Sequence, residues 1–253
     1  MVLSIFSLNV RGLRNNIKRK AIFLFCKEQP NTNCFLFQET HSSEDDHIFW
    51  RKQWGSGDIY LSHGTSHSAG VAIFLHRFNG RVIDHKGDKE GHWLMVNIEL
   101  DDTKYILVNV YGFNNRAKNR KLISDLEKMI EEWKIIYSIE KVVVAGDFNM
   151  VPDEKQDRFP TKYNSPHFNQ TIMDFSCTLN LIDIWRKLNP DKLHYTWSNS
   201  ERSERSRLDY CLITGSLFPL SSNCKILHSP LIPLSVVQSN ITTGHTASIC
   251  LAC

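Results

Sequence analysis

Several things are scarce in this 253-residue chain. Its seven cysteines, Cys26, Cys34, Cys177, Cys211, Cys224, Cys250 and Cys253, contain no CxxC pair. The count is odd and most sit inside apolar stretches, so they read as reduced core thiols rather than a disulfide framework or a zinc site. Glycine and proline number only 12 and 8, which excludes collagen and low-complexity disorder. No apolar run approaches the ~20 residues of a spanning helix, so no membrane partner is expected. Residues 1–8 are apolar, but Arg11 and Arg14 follow directly, which argues against a secretory signal. Excess charge is lacking too. Thirty Lys+Arg against 27 Asp+Glu leave +3, too little to announce nucleic acid and too balanced to exclude it. The 28 residues after Lys225 hold no Asp, Glu, Lys or Arg at all. They read as a polar Ser/Thr/Asn loop leading to a buried terminal strand.

What is present is an alternation of strand-like and helix-like segments without a long linker. It predicts a single domain spanning 1–253 of the α/β class. Strands are expected at Val2–Leu8, Cys34–Phe37, Val71–Leu75, Trp93–Leu100, Tyr105–Tyr111, Val142–Ala145, Leu208–Ile213, Ile226–Leu227 and Ser248–Leu251. Helices are expected at Ile17–Glu28, 117–136 and Asn169–Leu179. The alternation Leu94, Val96, Ile98, Leu100 and Ile106, Val108, Val110 suits half-buried antiparallel sheet. Val142–Ala145 is apolar throughout, as in a central strand. Trp50, Trp54, Trp93 and Trp133 are expected in the core. His63, His67, His76, His85 and His92 lack metal-ligand spacing.

Polar residues that end or interrupt these strands are the candidates for chemistry: Asn9, Gln38, Glu39, Asp147, Asn149, Asp209 and His245. Strand ends are where a rigid sheet can gather functional groups. The chain has neither a GxSxG nucleophile nor a Walker lysine. Carboxylates, amides and one imidazole suit a hard divalent cation with oxygen ligands and a water attacking phosphorus.

Six blocks in order carry a specific likeness. They are Ser7-Leu8-Asn9-Val10-Arg11-Gly12-Leu13, Phe37-Gln38-Glu39-Thr40-His41, Asn109-Val110-Tyr111, Gly146-Asp147-Phe148-Asn149, Tyr195-Thr196-Trp197 and Arg207-Leu208-Asp209-Tyr210. Together they resemble the endonuclease/exonuclease/phosphatase superfamily. The likeness implies a DNase I-like four-layer αββα sandwich, two packed, mainly antiparallel sheets flanked by helices. Asp88-Lys89-Glu90-Gly91-His92, Ala69-Gly70-Val71-Ala72-Ile73 and Leu181-Ile182-Asp183-Ile184-Trp185-Arg186 look like the endonuclease domain of LINE-type retrotransposons. That resemblance implies a Mg²⁺-dependent nick (Mn²⁺ also serving) in double-stranded DNA, leaving a 3′-OH to prime reverse transcription. It further implies a monomer, a reverse transcriptase domain in the same polyprotein, and action in the nucleus. Glu39 would be the main metal ligand, helped by Asn9 and Asp209. Asp147 would orient or deprotonate the water. Tyr111, Asn149 and Asn114 would hold the phosphate, and His245 would stabilise its charge. His41 is ambiguous, a candidate to support Glu39.

Two departures are visible. Phe113 stands where many relatives carry Pro. Gly244 stands where the family carries the Asp that orients the His, which predicts impaired nicking. An abasic-site endonuclease and a catalytically weak DNA-binding module are the competing readings. Basic clusters at Arg11, Arg14, Lys18, Arg19 and Lys20, and at Arg116, Lys118, Arg120 and Lys121, lie beside catalytic blocks and are expected to touch phosphates. On its own the segment 198–207 reads as a polar hairpin tip; the LINE resemblance implies a hairpin that enters the minor groove. Thr196, Arg202, Arg205 and Arg207 are its expected contacts, with Arg158 as a further one.

Overall fold

A computed structural model of the chain describes residues 2–162, 169–228 and 235–242. In chain order the elements begin β1 (Val2–Asn9), α1 (Asn16–Lys27), β2 (Cys34–Gln38), α2 (Asp46–Trp54), β3 (Ile59–Ser62), β4 (Val71–Leu75), β5 (Arg81–Gly87), β6 (Trp93–Leu100) and β7 (Thr103–Tyr111). They continue with α3 (Arg116–Tyr137), β8 (Val142–Asp147), β9 (Arg158–Phe159), α4 (Gln170–Thr178), β10 (Leu181–Asp183), α5 (Ile184–Leu188) and β11 (Trp197–Ser198). Last come β12 (Arg205–Ser206), β13 (Asp209–Thr214), β14 (Ser221–His228) and β15 (Ser235–Thr242). No described helix is long and apolar enough to cross a membrane.

Two six-stranded sheets run β14-β15-β1-β2-β4-β3 and β10-β13-β8-β7-β6-β5. Each is mixed, with one parallel pair, β1·β2 in the first and β7·β8 in the second. Leu3, Ile5, Leu36 and Ile73 of the first sheet meet Leu94, Val96, Leu107 and Val143 of the second between the sheets. Behind the first sheet, Ile22, Phe23, Trp50 and Trp54 bring α1 and α2 onto Phe6, Phe35 and Phe74. Behind the second, Leu122, Leu126, Ile130 and Trp133 of α3 and Phe175 of α4 pack on Val108, Val144 and Leu212. The result is helix, sheet, sheet, helix, as the resemblance implies. The four tryptophans expected in the core are all buried.

Two expectations need correction. β6 and β7 are buried on both faces: α3 covers Met95 on the side of β6 that alternation assigns to solvent, while in β7 Ile106, Val108 and Val110 face α3 and the other side, with Tyr105 and Leu107, packs between the sheets. The Ser/Thr/Asn-rich stretch expected as a loop contains β15, an inner strand between β14 and β1. Its polar residues are buried because partners await them. Gln238 donates to Thr32 (2.8 Å), Asn240 accepts from Ser4, and Thr242 donates to the Leu220 carbonyl (2.9 Å). Paired polar groups survive burial where lone ones do not. The strand expected at Ser248–Leu251 lies outside the described residues.

Candidate active site

The register brings the strand-end residues together. β1 and β2 run in parallel, so Asn9 lies beside Gln38 and one residue short of Glu39. β7 and β8 place Tyr111 opposite Asp147, and β13 places Asp209 opposite the same Asp147. Five polar residues from five strands thus meet at one end of the sandwich. A buried amide pair fastens the sheets just beneath. Gln38 donates to Asn109 Oδ1 (2.6 Å), and Asn109 donates to the carbonyls of Phe37 (2.9 Å) and Ala72 (2.8 Å).

At the mouth, Asn9 Nδ2 bridges two carboxylates, donating to Glu39 Oε1 (2.7 Å) and Asp147 Oδ2 (3.0 Å). Tyr111 donates its hydroxyl to the same Glu39 oxygen (2.9 Å). The Asn149 backbone N–H donates to Asp147 Oδ1 (3.0 Å), and its side-chain amide donates to the Gly112 carbonyl (2.7 Å). His41 Nε2 lies 3.9 Å from Glu39 Oε2. Arg11, Glu39, His41 and Asn149 all hold positive φ, between 46° and 55°. Non-glycine residues accept this conformation only where their surroundings impose it, and such strain gathers at functional sites.

Electrostatics follow from burial. Desolvation raises the Asp147 carboxyl to about 6; Asn9 and Asn149 oppose the rise, and Glu39 adds to it. Asp209 is raised as well, by burial first and then by Asp147. The Tyr111 hydroxyl is pushed up by burial and by Glu39. Three carboxylates therefore converge where negative charge is poorly compensated, which is what a divalent cation relieves. Among the described residues no cluster of three or more His, Cys, Asp or Glu side chains forms a ready-made metal cage. One carboxylate plus an amide and waters is the sparser donor set that Mg²⁺ accepts, since it dehydrates reluctantly. Glu39 and Asp209 carry carboxylates for it, whereas Asn9 presents its amide nitrogen to Glu39 and has Oδ1 on the Arg11 N–H (3.1 Å), so it would join only with that amide turned.

Gly244 and His245 lie outside the described residues. Asn114 and Arg116 are exposed at the rim after Tyr111, just ahead of and at the start of α3. Of the first basic cluster, Arg11 and Lys18 stand at the site, where Lys18 Nζ donates to the Arg11 carbonyl (2.7 Å). Arg19 does not; it is buried, bonding Gln53, Asn16 and the Leu13 carbonyl.

The hairpin spans Trp197–Ser206. β11 and β12 pair, and β12 also pairs with β9, making a three-stranded ribbon. Arg202 sits exposed at its tip. Arg205 lies over the rings of Phe159 (4.8 Å) and Tyr195 (5.3 Å). Thr196 Oγ1 accepts from the backbone N–H groups of Leu208 (2.9 Å) and Asp209 (3.2 Å), seating Asp209. Arg207 must be reassigned. It is 1% exposed, and its guanidinium grips Asp157 through two nitrogens (2.6 and 3.0 Å) and Asp183 through a third (2.6 Å). Burial opposes its charge, yet Asp183 and Asp157 hold its pKa above the usual value. Arg158 is likewise committed, ion-paired with Glu154 at 2.8 Å.

Sequence reasoning missed Asn119. From the buried face of α3 it donates to the Phe148 carbonyl (2.8 Å) and accepts from the Phe113 N–H (3.2 Å), joining the loops that carry Asn114 and Asn149. An amide three residues before Leu122 on that face was the available signal.

A family model described as the Endonuclease/Exonuclease/phosphatase family matches residues 6–231. The chain is 26% identical over 233 residues to a transposon TX1 uncharacterized 149 kDa protein of Xenopus laevis, covering 91% of this chain and 17% of that protein. It is 27% identical over 247 residues to recombination repair protein 1 of Drosophila melanogaster, covering 86% and 34%. It therefore spans only a minor part of each of these relatives. Among solved structures, AP endonuclease LMAP from Leishmania major superposes with a TM-score of 0.77 at 17% identity, over 96% of this chain and 88% of that one. The 3′ phosphatase NExo from Neisseria, bound to a product DNA hairpin, gives 0.74 at 18%, over 95% and 99%. At such identities the structural likeness establishes the fold.

Proposed function

The chain belongs to the endonuclease/exonuclease/phosphatase family, and we propose that it is a Mg²⁺-dependent phosphodiesterase that nicks double-stranded DNA and leaves a 3′-OH, with Mn²⁺ able to substitute. The observation that carries this reading is the Asn9 amide joining Glu39 to Asp147 with Tyr111 on the same Glu39 oxygen. Glu39 and Asp209 are the residues that would hold the cation, joined by Asn9 once its amide turns Oδ1 inward. When bound, such a cation offsets charge on the phosphoryl and leaving oxygens. Asp147 faces that point with Oδ1 and Oδ2 each anchored by one N–H, so its remaining lone pairs can orient a water and take its proton. Asn149 spends its side-chain amide on the Gly112 carbonyl and on the Tyr111 side chain, so a phosphate oxygen would take the place of the Tyr111 contact. Arg11, Asn114 and Arg116 line the approach, where positive and amide groups suit the DNA backbone. The likeness to a transposon protein supports a role in target-primed reverse transcription, beside a polymerase in the same polyprotein and acting in the nucleus. The single domain and monomeric state are part of the same proposal.

Abasic-site cleavage is the second reading, favoured by the likeness to a recombination repair protein. A supercoiled plasmid incubated with Mg²⁺ or with EDTA separates nuclease from passive binder. Open-circle product is expected only with Mg²⁺, and Glu39→Gln should lower its rate by roughly a hundredfold or more. Nicking that persists in EDTA would refute the metal role. Faster cleavage of an abasic duplex than of an intact one would transfer the assignment to repair. Gly244→Asp should raise the nicking rate; equal rates would remove the proposed impairment.

A further inference from the structure

The turn formed by Asp88–His92 takes no part in the chemistry above, yet it is tied down on every side. Asp88 Oδ1 accepts from the backbone N–H groups of His92 (2.8 Å) and Trp93 (3.1 Å) and from the Ser62 hydroxyl (2.8 Å). Gly91, at φ 74°, accepts from the Gly70 N–H (3.0 Å). A Cβ at Gly91 would fall 2.5 Å from that same nitrogen, so only glycine lets the two loops meet. This scaffold delivers one side chain, the His92 imidazole, which is 8% exposed. Its ring lies parallel to that of Tyr111 within 5°, centroids 5.5 Å apart, and stacks on Phe113 at 3.6 Å. Nδ1 is 2.6 Å from the Tyr111 carbonyl oxygen. Lys118 Nζ approaches the Phe113 ring at 5.4 Å.

We propose that His92 is a positioning residue, which holds the Tyr111 ring so that its hydroxyl stays on Glu39 Oε1 and fixes Phe113 at the root of the segment carrying Asn114. The physical reason is rotational. Tyr111 ends its strand, so no further strand residue restrains its ring, and a hydroxyl bonded to a carboxylate is only as well placed as the ring that bears it. A parallel aromatic neighbour and a bond to the same residue's carbonyl remove that freedom before substrate arrives. Displacements of about 1 Å are enough to cost a hundredfold in rate. The imidazole of His92 bonds the Tyr111 carbonyl and stacks on Tyr111 and Phe113 rather than on Glu39, Asp147 or Asp209, which separates positioning from catalysis.

The inference rests on the proposed nicking reaction only for its kinetic arm, so two readouts are needed. In plasmid nicking, His92→Ala should lower kcat roughly ten- to a hundredfold with KM nearly unchanged, and should cost markedly less in a Tyr111→Phe background, where only its hold on Phe113 is left to lose. His92→Phe keeps a stacking ring and His92→Asn keeps a polar partner for the carbonyl; each should recover part of the rate. Independently, in protein labelled with 3-fluorotyrosine, the ¹⁹F resonance that disappears in Tyr111→Phe should shift or broaden in His92→Ala. An equal kinetic loss in both backgrounds, or an unmoved resonance, would overturn the proposal. Should His92→Ala fail to fold, the Phe and Asn variants carry both measurements. If the unaltered protein does not nick, the nuclease reading falls while the ¹⁹F resonance still decides the positioning role.

Discussion

Arg202 and Arg207 lie five residues apart and carry the same charge to opposite environments. Arg202 is solvated at a hairpin tip, while Arg207 is enclosed with Asp157 and Asp183. Arg207→Leu should destabilise the fold by about 3 kcal/mol or more, because two carboxylates lose their buried partner. Arg186 keeps one contact to Asp157 (2.6 Å) and limits the damage. Arg202→Ala should leave stability within about 0.5 kcal/mol, as surface substitutions do. Urea titration of both variants checks the contrast; equal midpoints would contradict it. Sequence reasoning placed both arginines at DNA because the partners of Arg207 lie 50 and 24 residues away, and nothing local betrays them. Glu39, Asp147 and Asp209 were legible for the converse reason: each breaks or ends an apolar strand, and a carboxylate there needs a purpose or a partner.

Among the elements, the hairpin and β15 show how far pattern reaches. Strands with plain apolar content, such as β4 and β6, match their expected bounds. β15 was hidden because its composition resembles a loop, and only long-range hydrogen bonding makes a strand of it. The hairpin was expected as a groove reader, with no bracing strand foreseen, whereas β9 pairs with β12 and supports it from one side. Replacing Asn199–Glu204 with a two-residue turn, while retaining Arg205 and the Trp197–Ser206 pair, should change the distribution of cut sites. It should leave kcat on a preferred site within about threefold, since the carboxylates sit on other strands. Sequencing nicks on random-sequence DNA measures the first effect, and an unchanged distribution would argue against the hairpin as reader.

For the whole molecule, the telling feature is the neighbourhood of β1. It lies between β2, parallel and near in sequence, and β15, antiparallel and at the far end of the described chain. Ser4 and Asn240 are bonded across a separation of 236 residues. A chain ending at His228 should therefore expose one edge of β1 and the polar row that faces it. Such edges pair with copies of themselves, so the truncated protein should elute as aggregate in size-exclusion chromatography. A monomeric, cooperatively melting product would show that β15 is dispensable. Biosynthesis meets the same geometry. At ribosomal speeds of about 5–20 residues per second, β1 waits on the order of ten to fifty seconds for its partner to be made. Until then the nascent chain carries an unclosed sheet, and a chaperone that shields strand edges would find its client in that interval.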